Sequence, residues 1–308
     1  MRILNDIERT KEKIGPVVAT IGNFDGLHIG HRKIIEQVRM RGEKLGLMTV
    51  VMTFDPHPAR VISPTGAPHL IHTRHQKIKM LEKMGVDILI FMPFDRDLSL
   101  LAAEEFFTNR VLRRMEIEEI YIGENFRFGR NRSADSDALF RIGSKLGFKV
   151  DLIESVKLEG EVVSSSLIRR LIADGNVERA ALFLGQPFSI EGEVVSGEGI
   201  GKKMRIPTAN VRPENELIPG MGVYITESLV CNERFRSVTN IGVRPTFALY
   251  TSTIETHLID FASSIYGEDI EVVFHRRIRD EMKFDDVEKL KKQIECDVRE
   301  AKDFFGKR

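Results

Sequence analysis

Two histidines three residues apart, His28 and His31, close the run Gly22-Asn23-Phe24-Asp25-Gly26-Leu27-His28-Ile29-Gly30-His31. Val17 to Ile21, just before it, is expected to be a strand, and Ile34, Ile35, Val38 and Leu45 recur after it at near-helical spacing. A strand-to-helix junction offers unpaired backbone N–H groups and a partial positive charge, and glycines let the backbone approach a ligand closely. Imidazoles three apart share one helix face, so the pair suits a polyphosphate whose charge shifts during displacement. The same spacing is also compatible with a metal pair or with surface residues, and the tetrapeptide alone does not choose.

Further along stand Thr53-Phe54-Asp55-Pro56-His57-Pro58, Gly123-Glu124-Asn125-Phe126-Arg127-Phe128-Gly129 and Val163-Ser164-Ser165-Ser166-Leu167-Ile168-Arg169. In the second half, Ser196-Gly197-Glu198-Gly199-Ile200-Gly201-Lys202-Lys203 nearly spells a P-loop. It fails because Ser196 replaces the first glycine, Lys203 replaces the required Ser/Thr, and Pro207 stands where a helix should run. It fails equally as a dinucleotide fingerprint, since the glycines alternate and no βαβ pattern surrounds them. Read alone, the segment is a tight hairpin, Glu255 is an exposed strand carboxylate, and Ser164 to Arg169 is a helix cap with a solvated arginine.

The whole series, in this order, resembles the bacterial FAD synthetases, bifunctional riboflavin kinase and FMN adenylyltransferase enzymes of the His-x-Gly-His nucleotidyltransferase superfamily. The resemblance implies that His28 and His31 stabilise charge on the ATP α-phosphate while the FMN phosphate attacks and pyrophosphate leaves. It places ATP against Gly22, Asn23, Phe24, Asp25, Gly30, Ser164, Ser165 and Arg169, and FMN against Asp55, Asn125 and Arg127. Hydroxyl donors and a guanidinium fork are chemically apt phosphate partners. In the second half it implies a flap of Gly197, Gly199, Gly201 and Lys202 over a second ATP. Thr208 and Asn210 of Pro207-Thr208-Ala209-Asn210 would meet the magnesium nucleotide, and hard oxygen ligands suit Mg²⁺. Glu255 would be the general base toward the ribityl 5′-hydroxyl. Arg279, Glu281 and Phe284, within Arg279-Asp280-Glu281-Met282-Lys283-Phe284, would hold the flavin. The chain departs from the usual pattern at three positions: Ser166 stands for threonine, and Ala134 and Arg205 stand for glycine. Ala134 is expected to stiffen the Arg127 to Asp135 loop, and Arg205 to alter the flap.

These residues need a scaffold. From Val17 to Leu184 short apolar runs alternate with amphipathic stretches, the pattern of parallel strands covered by helices. Strands are expected at Met48 to Phe54, Ile88 to Phe91, Ile120 to Ile122 and Val150 to Ile153, and helices at Arg74 to Met84, Ala102 to Arg114 and Ser136 to Lys145. Right-handed crossovers then put ligands at the carboxyl ends of the strands. Gly185-Gln186-Pro187 marks a change of texture. Beyond it, Ile190 to Val195, Val223 to Val230, Arg234 to Asn240, Ser252 to Ile259 and Ile270 to His275 alternate as antiparallel strands, with a hairpin turn at Cys231-Asn232-Glu233. A last helix, capped by Asp285 or Asp286, presents Val287, Leu290, Ile294, Val298 and Ala301 on one face. The expected fold is α/β: a doubly wound, Rossmann-like nucleotidyltransferase domain over 1–184, then an antiparallel β-barrel riboflavin kinase domain with a terminal helix over 185–308.

The 308 residues, 42% hydrophobic, suffice for two cores. Lys+Arg and Asp+Glu both total 46, so no overall field draws the chain to nucleic acid or anionic membrane. Arg127, Arg130 and Arg132 could suggest an RNA patch, but few aromatics accompany them. Two cysteines, Cys231 and Cys296, are too few for a disulfide scaffold and fit a reducing compartment. The polar N-terminus lacks a signal-like apolar stretch, and no apolar run approaches the ~20 residues that cross a bilayer. A soluble, cytoplasmic enzyme is expected, with riboflavin, FMN and ATP as small-molecule partners, no nucleic acid and no membrane; a homo-oligomer is left open. An aminoacyl-tRNA synthetase or a cytidylyltransferase would explain His28-Ile29-Gly30-His31 but not the second half. A flavin-binding regulator without turnover is the non-enzymatic competitor, supported only by Ala134 and Arg205.

Overall fold

The structure, a computed structural model, describes residues 1–11, 13–196, 206–245 and 250–306. The chain forms two units, one of Met1–His69 with Arg74–Ser164 and one of Leu70–Thr73 with Ser165–Arg308.

In the first unit, strands β1 (Arg2–Leu4), β2 (Ile14–Ile21), β3 (Met48–Asp55), β4 (Ile88–Pro93), β5 (Met115–Gly123) and β6 (Lys149–Ile153) form one sheet in the order β1-β4-β3-β2-β5-β6. Every neighbouring pair is parallel. Helices α1 (Ile29–Leu45), α2 (Pro58–Ile62), α3 (Arg74–Lys83), α4 (Arg96–Leu100), α5 (Ala103–Phe106) and α6 (Ser136–Leu146) accompany it. The strands are apolar on both faces because both are covered. Val17, Ala19, Ile21, Val50 and Met52 enter one cluster with Leu139 and Phe148. Their neighbours Val18 and Val51 enter clusters on the other side with Ile34 and Val38, and with Ile35 and Leu81. The chain winds from β2 through β3 to β4 in one direction and from β5 to β6 in the other, so the order reverses between β2 and β5. The carboxyl ends of those strands border the crevice where open α/β sheets take ligands.

Three features differ from expectation. β1 is a three-residue edge strand paired with β4, too short to leave a periodic signal. The helix expected over Ala102 to Arg114 divides into α5 and a π-helical turn, Phe107–Val111. The wider turn lets the consecutive side chains of Phe106 and Phe107 both enter the core. A small hairpin of β7 (Lys157–Leu158) and β8 (Glu161–Val162) follows β6.

The second unit contains helices α7 (Ser165–Ala173) and α8 (Val177–Leu184) and six antiparallel strands: β9 (Phe188–Val195), β10 (Ala209–Pro213), β11 (Gly222–Val230), β12 (Glu233–Pro245), β13 (Tyr250–Leu258) and β14 (Asp269–Arg279). They close a barrel in the order β10-β13-β12-β11-β14-β9. Phe188, Tyr224 and Phe274 fill the interior beside a run of buried hydroxyls. Ser228 meets Ser237 at 2.9 Å, Ser237 meets Thr226 at 2.8 Å, Thr226 meets Thr239 at 2.8 Å, and Thr239 meets Thr256. Each of these buried hydroxyls thus finds its partner in another. Cys231 and Asn232 adopt φ of 51° and 63°, a two-residue hairpin turn, so Glu233, expected within the turn, already begins β12. The terminal helix, α9 (Val287–Gly306), is capped by Asp286, whose Oδ1 accepts from Glu288 N–H at 3.0 Å. Its Ala301 and Val298 pack on Val223, Ile225 and Val238, residues of the outer barrel face, whereas Val287 is exposed. Among the described residues no helix is long and apolar enough to cross a membrane.

Candidate active sites

β2 ends at Ile21, and the chain crosses toward α1 through a loop tied to β3 by Gly22 N–H donating to the Met52 carbonyl at 3.0 Å. Phe24 and Leu27 in this loop hold left-handed φ values of 45° and 39°, a strain of order 1–2 kcal/mol each for such side chains. Both side chains are almost wholly buried, with Ile35, Val51, Leu81 and Phe91. Burial of that kind contributes ~2–3 kcal/mol per side chain and offsets the strain. A Cβ on Gly30 would lie 3.2 Å from the His28 ring, so a side chain there would displace the imidazole.

His28 is the N-cap of α1, its Nδ1 accepting from His31 N–H at 3.2 Å. That bond leaves the ring proton of neutral His28 on Nε2. The His28 and His31 rings stack with centroids 3.6 Å apart and planes at 15°, and Phe24 meets His31 edge-on at 5.3 Å. Burial lowers the His28 pKa to about 4 against the pull of Asp25. Burial, then His28 and Lys77, hold His31 well below the usual histidine range. Both imidazoles are therefore neutral at pH 7. His31 Nδ1 is buried without a hydrogen-bond partner. The helix behind them is anchored to β5 by a two-pronged ion pair from Arg41 to buried Glu119, at 2.7 and 2.6 Å.

The other residues expected for this chemistry fall on strand ends, loops and a helix. Asp55 closes β3 and pairs with Arg74. Asn125 follows β5, its Nδ2 donating to Ser155 Oγ at 3.1 Å, and Arg127 is exposed with a bond to the Phe126 carbonyl. The loop beyond closes as a bridge between Phe128 and Ala134, with N–H to carbonyl distances of 3.0 and 3.1 Å in the two directions. Ala134 has no left-handed φ and its methyl is buried in the core, so alanine is accommodated where glycine was expected. Ser164 is the last residue of the first unit, and Ser165 and Arg169 lie on α7 in the second. Lys77 on α3, which the sequence did not single out, donates to the Asn23 carbonyl at 2.9 Å.

In the barrel, Asn210 of β10 is opposite Glu255 of β13, and Glu255 is in turn opposite Asn240 of β12. Directly opposed residues share a face, so the two carboxamides flank the carboxylate. That face is the outer one, since Thr256 points to the hydroxyl-filled interior. Thr208 precedes β10 and lines a cavity of about 380 Å³ with Val194, Pro207, Leu258, Phe261 and Tyr266. His257 fixes the entry to β10 by a 2.8 Å bond between its Nδ1 and the Pro207 carbonyl. The Glu281 carboxylate occupies the space over Gly242 where a Cβ would stand. Arg279 is held by Asp297 of α9 through Nε–Oδ1 at 3.0 Å and Nη2–Oδ2 at 2.8 Å, and Gln293 Nε2 donates to Oδ1 at 2.9 Å. Phe284 is half-buried. Gly197, Gly199, Gly201, Lys202 and Arg205 lie outside the described residues.

Asn240 and Asp297 also carried no expected role. Asn240 is found by continuing the β12–β13 register, and Asp297 by noticing an acid within the apolar stripe of α9. Lys77 leaves no local signal, because its partners Asn23 and Thr53 are 54 and 24 residues away.

The FAD synthetase family model matches residues 10–167, and the riboflavin kinase model matches residues 184–305. The chain is 36% identical over 290 residues to the bifunctional riboflavin kinase/FMN adenylyltransferase of Escherichia coli (strain K12), covering 94% of this chain and 93% of that protein. It is 34% identical over 307 residues to the protein of the same name from Haemophilus influenzae, covering 99% and 100%. Among solved structures, the macrolide-efflux protein from Streptococcus pneumoniae shares the fold across 97% of this chain and 98% of its own, with a TM-score of 0.89 and 28% identity. With both halves matched and its relatives aligned almost end to end, the chain belongs to the bifunctional riboflavin kinase/FMN adenylyltransferase family.

Proposed function

We propose that this chain converts riboflavin to FAD in two ATP-dependent steps, each at its own site. Residues 185–308 phosphorylate riboflavin to FMN, and residues 1–184 transfer the adenylyl group of a second ATP to FMN. The observation that carries the reading is that each half, matched by its own family model, presents one compact constellation: the stacked pair His28 and His31, and the row Asn210–Glu255–Asn240.

In adenylyl transfer an FMN phosphate oxygen attacks the α-phosphorus, and the bond to the bridging oxygen breaks as pyrophosphate leaves. His28 turns Nδ1 to its helix cap, so Nε2–H donates to an α-phosphate oxygen; His31 donates beside it. Both act as neutral donors aimed where charge grows, with the N–H groups of the α1 start. Gly22, Asn23, Phe24, Asp25 and Gly30 shape the cradle, Ser164 binds the polyphosphate, and Asp55, Asn125 and Arg127 receive FMN.

In the kinase half, Glu255 takes the proton from the ribityl 5′-hydroxyl, whose oxygen attacks the γ-phosphorus while ADP leaves. Flanking carboxamides orient the carboxylate without competing for its charge. The cavity beside Thr208 takes the adenine. Arg279, Glu281 and Phe284 hold the flavin, Arg279 being kept in one rotamer by Asp297. Thr208 and Asn210 supply two neutral oxygens, a donor set that suits Mg²⁺ arriving with phosphate and water ligands. When bound, the ion screens the γ-phosphate. The chain works in the cytoplasm, in keeping with its free cysteines, Cys231 and Cys296.

Incubation with riboflavin, ATP and Mg²⁺ followed by chromatography should show FMN rising first and FAD following. Tight flavin binding with neither product would overturn the reading and favour a regulator.

A further inference from the structure

Burial keeps both imidazoles of the first site uncharged, so neither brings a full positive charge to a departing pyrophosphate. Lys77 stands within electrostatic reach of His31. Its Nζ donates to the Asn23 carbonyl at 2.9 Å and to Thr53 Oγ1 at 3.4 Å, and Thr53 Oγ1 donates to that same carbonyl at 3.1 Å. Asn23 belongs to the loop after β2 and Thr53 lies two residues before the end of β3, so the ammonium is fixed at the carboxyl ends of two central strands. Two of its three N–H groups are engaged there. The third has no protein acceptor among the described residues. Asp25 and Asp55 favour the charge, while burial and Arg74 oppose it.

We propose that Lys77 is a catalytic residue of adenylyl transfer, its remaining N–H binding a phosphate oxygen of ATP and its charge stabilising the electron pair that passes to pyrophosphate. The inference rests on the reading of the first unit as the FMN adenylyltransferase. The bond that forms joins an FMN oxygen to the α-phosphorus, the bond that breaks leads to the bridging oxygen, and Lys77 keeps its proton throughout. A strongly placed cation at a leaving group acts where charge develops, which lowers the barrier rather than tightening the ground state.

The test compares the full-length chain with Lys77→Met, Lys77→Gln and Lys77→Arg in steady-state FAD formation from FMN and ATP, with circular dichroism and melting temperature verifying the fold. Loss of one such donor costs about 10²–10³-fold in kcat. Lys77→Met and Lys77→Gln should fall by that much with the KM for FMN little changed, and Lys77→Arg should recover at least ~tenfold of the loss. Because burial lowers the Lys77 pKa, wild-type kcat should decline as pH rises, below the usual lysine range, and the neutral variants should lack that limb. A folded neutral variant with wild-type kcat, or Lys77→Arg as impaired as Lys77→Met, overturns the proposal. A wild-type chain that makes no FAD from FMN removes the domain reading and this inference together, whereas an active wild type with an undiminished Lys77→Met removes Lys77 alone.

Discussion

Acidification should weaken the first unit through His28, and the size of the effect follows from its surroundings. The imidazole is 5% exposed and uses Nδ1 as an acceptor for the His31 N–H, so protonation breaks the helix cap. It also places a charge against a second ring whose centroid is 3.6 Å away. Burial takes the folded pKa from 6.5 to about 4, below the value in the unfolded chain. The unfolded state therefore binds the proton first: His28 contributes its full stability above about pH 6.5 and loses it progressively toward pH 4. At about 1.4 kcal/mol per pH unit per group, descent from pH 6.5 to 5 removes ~2 kcal/mol through His28. His31 adds a loss of the same sign. Urea unfolding followed through amide signals of β2 and α1 would measure the slope, and imidazole resonances would give the folded pKa. His28→Asn keeps a capping acceptor but cannot titrate, so it should flatten the acid slope. Titration of His28 near 6.5 in the folded protein, or an undiminished slope in the Asn variant, would refute the neutral-imidazole argument.

Other consequences are equally direct. Glu255→Gln should slow FMN formation by ~10²–10⁴-fold while leaving added FMN convertible to FAD; comparison of the two half-reactions checks it. Asp297→Ala strands the Arg279 guanidinium at a position only 17% exposed, and breaking such a pair costs ~3 kcal/mol. The second unit should melt earlier and the KM for riboflavin should rise, both readable in one thermal and kinetic series. Ala134→Gly removes a buried methyl and frees the unfolded backbone; calorimetry should find a loss of about 1–2 kcal/mol.

Hydrophobic periodicity made most of both units legible. β2 to β6 and the main barrel strands fall where apolar runs stand, because each strand is long enough to repeat its pattern. β1 and β10 escaped, being short and, in β10, occupied by the Pro207 to Asn210 motif that was read for chemistry. The two consecutive phenylalanines at 106 and 107 look like an ordinary helix until a π turn is needed to bury both. Of the candidate site residues, His28, His31 and Glu255 stand in local motifs that the sequence displays. Lys77, Asn240 and Asp297 do not, since each acquires its meaning from a partner brought by sheet winding, barrel register or helix docking. Ala134 shows the reverse: a departure that suggested a stiffened loop becomes ordinary once its φ and its bridge to Phe128 are seen.

Two separate sites are proposed to act in succession on one flavin. Supplying riboflavin, ATP and Mg²⁺ to His28→Ala and quantifying flavins over time tests this most directly. FMN should accumulate at the wild-type rate while FAD formation falls by at least ~10²-fold. Loss of both products from a folded variant, or FAD at the wild-type level, would contradict it.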